Sequence, residues 1–378
     1  MNARTTSPEH DKDRPGSCLR RPRRLLPAVA LLALTLTACG SDGGEVTTSP
    51  ATSAPSSSSA GPSKEADIGG ERTVTHKYGT TSISGTPERI VTIGLTEQDY
   101  VLALGAAPIA TREWFGELDG ALWPWAKEAL GDRPVPTVLP LAELNYEQIA
   151  ALSPDLILGL NSGLTEQEYG LLSKIAPTVA QPEDTADYGV SWQQMTTRIG
   201  TALDREDEAA QLVTDIEAQL DEAETGLPGG AEATGLLSAV VDDGSFYIYA
   251  DGPAPRFLTD LGLDLPAPAQ AQLTEAQRAP VQVSKEKLDL LEADALVLGL
   301  YGATAEQLRQ EGTFNQLEVV KQGRVIELTE LSLANGALSF GSILSLPTAI
   351  EQMVPRLTAA LDGDPATLPE PAEPITTS

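Results

Sequence analysis

From residue 191 to 224 the chain carries no helix breaker except Gly200. Its apolar residues there, Met195, Ile199, Ala202, Leu203, Leu212, Val213, Ile216 and Leu220, recur close to the helical period. The stretch reads as one long helix, with Gly200 as the place for a kink, stopped by Gly226-Leu227-Pro228-Gly229-Gly230. Before it, strands over 89–94, 108–111, 155–160 and 178–180 alternate with helices over 97–104, 146–152 and 165–175. After it, strands over 236–241, 246–250, 295–300 and 324–328 accompany helices over 256–261, 285–291 and 347–361. Continuous apolar strands alternating with helices specify parallel sheets covered on both faces. The expected fold class is therefore α/β: two Rossmann-like lobes with parallel sheets joined by one long helix. Ligands favour the cleft between such lobes, at the carboxyl ends of the strands.

The amino-terminal end has a different logic. Arg20, Arg21, Arg23 and Arg24 precede an apolar run over 25–36, which closes on Leu36-Thr37-Ala38-Cys39. A basic segment, an apolar segment and small residues form a secretory signal. A cysteine at the cleavage point resembles the bacterial lipoprotein signal, which implies a mature chain starting at Cys39 with lipid on that residue. The apolar run, about twelve residues, is too short to span a bilayer. Acyl chains would instead hold the protein to the outer face of the cell membrane. Arg23-Arg24-Leu25-Leu26 is weakly compatible with the folded-protein export route, but four basic residues before an apolar segment usually mean only charge asymmetry, which favours the general route.

Removing residues 1–38 takes away seven of the 25 Lys/Arg and three of the 54 Asp/Glu, leaving 18 against 51 and a net charge of −33. Such a chain repels nucleic acid and anionic headgroups. With Cys18 in the signal and Cys39 acylated, no disulfide is available, so the fold rests on its core. Residues 39–71, rich in Ser, Thr, Gly, Pro and Ala, read as a flexible tether. The body divides into an amino-terminal lobe over 72–188, the linking helix over 189–226 and a carboxyl-terminal lobe over 227–362. The Pro-rich stretch 363–378 reads as a disordered tail.

Several segments resemble the ferric-siderophore substrate-binding proteins of ABC importers. They include Thr75-His76-Lys77-Tyr78-Gly79, Pro87-Glu88-Arg89-Ile90-Val91, Ala103-Leu104-Gly105-Ala106-Ala107-Pro108, Ser153-Pro154-Asp155-Leu156-Ile157, Phe257-Leu258-Thr259-Asp260-Leu261-Gly262 and Gly323-Arg324-Val325. Trp114-Phe115-Gly116 with Trp123-Pro124-Trp125 is similar to the actinobacterial lipoprotein branch linked with hydroxamate siderophores. The resemblance covers residues 72–361. It implies a rigid two-lobe body that binds a ferric siderophore, hands it to a membrane permease and does no chemistry. No cofactor and no protein metal site are implied, because the chelator holds the iron; the expected state is a monomer.

Aromatic residues make up only 4% of the chain, yet three of its four Trp fall between 114 and 125, close to Arg112. Flat rings supply contact area at low entropy cost, and Arg is a multidentate donor to hydroxamate or catecholate oxygens. Arg112, Trp114 and Trp123 are therefore ligand-binding candidates. Trp125, Tyr188 and Trp192 join them, although Trp125 shares a helical face with Ala129 and Leu130, which suits a core. Tyr247 and Tyr249, two apart on a strand, share a face. Tyr249 is the second lobe's aromatic candidate, and the pair could instead hold bare ferric ion as phenolates. Arg256 starts a helix, where the dipole disfavours a cation, so a reason outside the helix is plausible, and it is a further ligand-binding candidate. By resemblance, Glu147 and Glu286 present one carboxylate per lobe to arginines of the permease.

Other functions remain as alternatives. Cobalamin or haem delivery is compatible with the same fold. An exported hydrolase would have to use His76, the one histidine outside the signal, and no Gly-x-Ser-x-Gly elbow is present. A zinc or manganese carrier would need several histidines.

Overall fold

The computed structural model describes residues 70–372, 374 and 375. The signal segment, Cys39 and nearly all of the tether lie outside these residues. β1 (Arg72–His76) and β2 (Gly79–Ile83) form an antiparallel hairpin. β3 (Ile90–Thr92), β4 (Pro108–Arg112), β5 (Thr137–Leu139), β6 (Leu156–Gly159) and β7 (Thr178–Ala180) make a parallel five-stranded sheet in the order β5-β4-β3-β6-β7. β8 (Gly235–Val240), β9 (Phe246–Ile248), β10 (Val281–Val283), β11 (Ala295–Leu300) and β12 (Val325–Thr329) make a second, in the order β10-β9-β8-β11-β12. In that sheet β9 runs against the rest, because the turn through Asp242-Asp243-Gly244 is too short for a parallel crossover. Both lobes thus place their first strand centrally, the doubly wound arrangement. The strand order reverses between β3 and β6 in one lobe and between β8 and β11 in the other.

The lobes repeat one polar device. Asp155, just ahead of β6, accepts the backbone N–H groups of Glu88 and Arg89 at 2.8 and 2.9 Å. Asp294, just ahead of β11, accepts the Thr234 N–H at 2.9 Å and its hydroxyl at 2.8 Å. Each carboxylate ties the start of the fourth strand to the start of the first. The Ser153-Pro154-Asp155 motif therefore has a structural role at the end of the sheet away from the carboxyl edge.

The linking segment differs from expectation. It is two helices, Trp192–Leu203 and Glu206–Gly226, and the break falls at Asp204 rather than Gly200. Asp204 adopts the left-handed conformation (φ 61°, ψ 46°), which a short polar side chain tolerates. Gly200 serves the packing of the two helices. A Cβ there would stand 2.4 Å from the Ala209 methyl. The expected helix over 285–291 is a 3-10 turn, and the helix Leu333–Phe340 had no counterpart in the sequence reading.

The tail also departs from expectation. Ala372 is buried and bridges Leu328, Pro374 bridges Ser332, and the Ile375 N–H donates to Leu331 O at 2.8 Å. Arg356 holds the carbonyls of Glu370 and Pro371 at 2.9 and 3.2 Å. β12 is an edge strand with open backbone groups, and an extended Pro-rich segment can still supply carbonyls to meet them. Glu370, Pro371, Ala372, Pro374 and Ile375 thus make contacts with the body, while residues 363–368 are exposed.

One apolar core passes through both lobes. Leu156 and Leu158 from the first sheet and Val297 and Ile326 from the second join it through Trp123, Phe340, Met353 and Leu357. The outer face of each sheet has its own smaller cluster. A shared close-packed core resists continuous deformation, which suits a small lobe movement.

Candidate ligand cleft between the lobes

The two points of strand reversal both open toward the space between the lobes. In the first lobe they are lined by Thr96, after β3, and Asn161, after β6. Glu97, fully buried, sets both loops. Its carboxylate accepts the Asn161 N–H at 2.8 Å and the Thr96 N–H at 3.2 Å. Burial pushes this carboxyl up to about 7, against the pull of those donors and Arg112. Asp99, one helical step on, is likewise raised to about 7 by burial. It accepts the Trp125 indole N–H at 2.8 Å and the Ser342 hydroxyl, tying the first lobe to the corner before the last helix.

In the second lobe the reversal point opens into a hollow of about 230 Å³ beside β8 and β11. Tyr249, Tyr301, Asn335 and Leu338 wall it, with Trp114 reaching across from the first lobe. The Tyr301 hydroxyl donates to Asn335 Oδ1 at 3.1 Å. Burial, with Tyr301 and Tyr247 nearby, raises the Tyr249 phenol, which keeps it a neutral donor. A larger hollow, about 620 Å³, lies at the opposite, amino ends of β8, β11 and β12 beside Arg324. It is away from both reversal points, and Arg324 is already paired with Asp294 at 3.2 Å.

The sequence candidates divide. Trp114 and Tyr249 line the hollow. Tyr188, 49% exposed at φ 60°, stands at the mouth of a smaller inter-lobe pocket that Trp192 and Arg256 also line. Its ring lies over Gly163, where a Cβ would come within 2.9 Å of it. Trp192 is buried at the base of the linking helices, so it borders the pocket from the core side.

Trp123 and Trp125 are corrected to core residues. They are 1% and 7% exposed and stack at 5.3 Å with an interplanar angle of 12°. Phe115 and Phe340 pack around them. Two large rings drawn into the seam between the lobes bury much apolar area there, and the Trp125 indole N–H finds its partner in Asp99. Arg112 is also corrected. It donates to the carbonyls of Ile93, at 3.2 Å, and Leu141, and so joins loops rather than facing either hollow. Arg256 borders the smaller pocket, but its guanidinium is already engaged by protein groups rather than free for a ligand. It donates to Asp251 at 2.9 Å and to Gly189 O and Val190 O at 2.9 and 3.3 Å, bridging the lobes. Burial raises the Asp251 carboxyl, but the Gly252 N–H and Arg256 outweigh it and hold the carboxyl below its usual range.

Tyr301, Asn335 and Asp251 were missed. Tyr301 immediately follows the apolar strand β11, at its carboxyl end, and Asn335 is a polar residue inside an otherwise apolar helix. Both are signals legible in hindsight. Glu147 and Glu286 are exposed, and each stands nine residues ahead of the fourth strand of its lobe, β6 or β11. Each begins a helical segment antiparallel to the strands and so lies at the cleft end. Among the described residues no group of three or more His, Cys, Asp or Glu converges on one point.

A doubly wound two-lobe body with a cleft at both reversal points defines a solute-binding protein. Residues 90–331 match the periplasmic binding protein family, and the chain belongs to it. A periplasmic solute binding protein from Mycobacterium smegmatis is 32% identical, with a TM-score of 0.67, over 77% of this chain and 99% of that one. The probable siderophore-binding lipoprotein YfiY of Bacillus subtilis is 28% identical over 74% of this chain and 86% of its own. The iron(3+)-hydroxamate-binding protein YxeB of the same organism is 25% identical over 71% and 82%.

Proposed function

We propose that this chain captures a ferric siderophore of the hydroxamate type in the inter-lobe cleft and delivers it to an ABC-importer permease. The observation that carries the hydroxamate type is the charge of the cleft. The charged side chains lining the two hollows are Asp251, Arg256 and Asp260. Arg256 is spent on Asp251 and two carbonyls, and Arg112 on two more. Among the described residues lining the hollows, no free cation is left to offset a triply anionic ferric tricatecholate. A ferric trihydroxamate is neutral and needs no offsetting cation, only ring contact and a neutral donor, which Trp114 and the Tyr249 phenol supply. The raised Tyr249 phenol argues against bare ferric ion held by phenolates.

Titration of the apoprotein by tryptophan quenching is the test. A ferric trihydroxamate is expected to bind and a ferric tricatecholate to bind far more weakly; preference for the tricatecholate would overturn the hydroxamate assignment. Trp114→Ala should weaken trihydroxamate binding by about 1–3 kcal/mol if the ring stacks on the ligand.

The reading includes an outer-face lipoprotein. The Leu36-Thr37-Ala38-Cys39 segment supports it, as does the description of YfiY as a lipoprotein. Cys39→Ala should move the protein from the membrane fraction to the soluble one, and retention of unacylated protein would count against an anchor on Cys39. Glu147 and Glu286, exposed at the cleft end of each lobe, are the docking pair in this reading.

A further inference from the structure

The hollow beside β8 and β11 is made by sequence choices that leave one patch of sheet uncovered. Ala239 and Gly299 are partners in register on adjacent strands. Their side of the sheet is the one that faces the cleft. The alternation along β8 puts Leu236 and Val240 into the outer cluster and leaves Leu237 and Ala239 on this face. Side by side, a methyl group and a hydrogen cannot fill the layer that a leucine or valine pair would occupy. Around this floor the walls are tall: the rings of Tyr249 and Tyr301, Leu338 from the helix Leu333–Phe340, and Pro253 from the helix Pro253–Asp260. A Cβ on Gly299 would stand 2.7 Å from the Tyr301 ring, so glycine is what lets that wall stand where it does.

The lining is mostly apolar, and among its polar groups Ser238 donates to Tyr247 O, Tyr301 to Asn335 and Asn335 to Glu330 O, so these are already satisfied. Its one charged border residue, Asp251, is neutralised by Arg256. The volume, about 230 Å³, exceeds the roughly 150 Å³ at which an apolar cavity accepts a benzene ring. Trp114 borders the opening from the other lobe, so a ligand head lying against that ring sits at the mouth.

We infer that this hollow is a subsite for an apolar arm: the siderophore it takes is a neutral ferric hydroxamate carrying a short acyl chain or an aryl group, with the iron-bearing head outside the hollow. The inference rests on the proposed siderophore reading and names a substrate class within it.

The probes are ferric complexes of the linear trihydroxamate desferrioxamine B, N-acylated with acetyl, butanoyl, hexanoyl or octanoyl groups. All four are neutral, so charge is held constant while the arm grows. Affinity is expected to rise roughly fourfold per buried methylene, then level off once the hollow is full. Ala239→Leu and, separately, Leu237→Phe fill the hollow, and each should flatten the dependence on chain length. Two variants guard against one failing to fold, which thermal melting reports. Equal affinity for all four complexes in the native protein would overturn the apolar subsite while leaving the siderophore reading intact. A dependence on chain length unchanged in a folded filled variant would also overturn it. Failure of even the acetyl complex to bind would overturn the hydroxamate reading and this inference with it.

Discussion

Replacing Trp123 by alanine is expected to destabilise the protein by about 3–5 kcal/mol, the usual cost of deleting a buried aromatic side chain. Trp123 is 1% exposed, stacks on Trp125, and contacts Phe115 at 5.1 Å and Phe340 at 6.0 Å between ring centres. The helix Leu333–Phe340 is shaped to receive it. A Cβ on Gly336 would lie 2.2 Å from the ring, so the glycine is part of the same contact. Since Trp123 joins core residues of both sheets, its loss should lower the midpoint of the whole body rather than detach one lobe. Denaturant unfolding, followed by fluorescence and by far-ultraviolet circular dichroism, measures this. A midpoint within about 0.5 kcal/mol of the native protein would be the value of an ordinary surface substitution, and would show that the ring is not buried in solution. Ligand affinity should fall as well, but only through loosening of the seam. That separates Trp123 from Trp114, whose loss should reduce affinity with much less effect on stability.

The double substitution Glu147→Arg and Glu286→Arg is expected to cut siderophore uptake severely while leaving affinity in solution unchanged. Both carboxylates are exposed, and each lies at the start of a helical segment on the cleft end of its lobe. Neither lines the hollows. Complementary charge at an interface governs orientation and on-rate, and like charges facing each other cost several kcal/mol. Two attractive contacts made repulsive should therefore act on delivery alone. Uptake by cells and binding by purified protein are measured for the same variant with two different siderophores. Normal uptake would remove the pair from the docking surface. Lost affinity in a folded variant would place it in the ligand site instead.

Much of the body is legible along the chain. The strands β7 and β11 and the starts of the helices at Glu97 and Tyr146 fall where the apolar runs and their flanking residues put them. These elements depend on near neighbours: an apolar run of strand length, a glycine stop, a proline, an asparagine whose side chain caps Gln148. Trp114, Tyr249 and Tyr188, candidates in a chain with few aromatics, do border the inter-lobe hollows.

What sequence could not separate were residues of the same type with different neighbours. Trp114 and Trp123 look alike in one dimension, and Phe340 packs against both; the first borders a hollow and the second fills a seam against Gly336, more than two hundred residues away. Arg112 and Arg256 looked like free donors, but distant carbonyls and Asp251 claim them. The break at Asp204 comes with Ala209 packed against Gly200, and Ala372 and Pro374 bridge Leu328 and Ser332. Composition and local pattern by themselves determined the two-lobe α/β plan, while the export signal they point to lies outside the described residues. Only the tertiary structure decided which rings border the hollows and which cations are held by protein groups. Burial and hydrogen bonding are set by whatever long-range contacts fill the space around a side chain, and local pattern carries no record of those contacts.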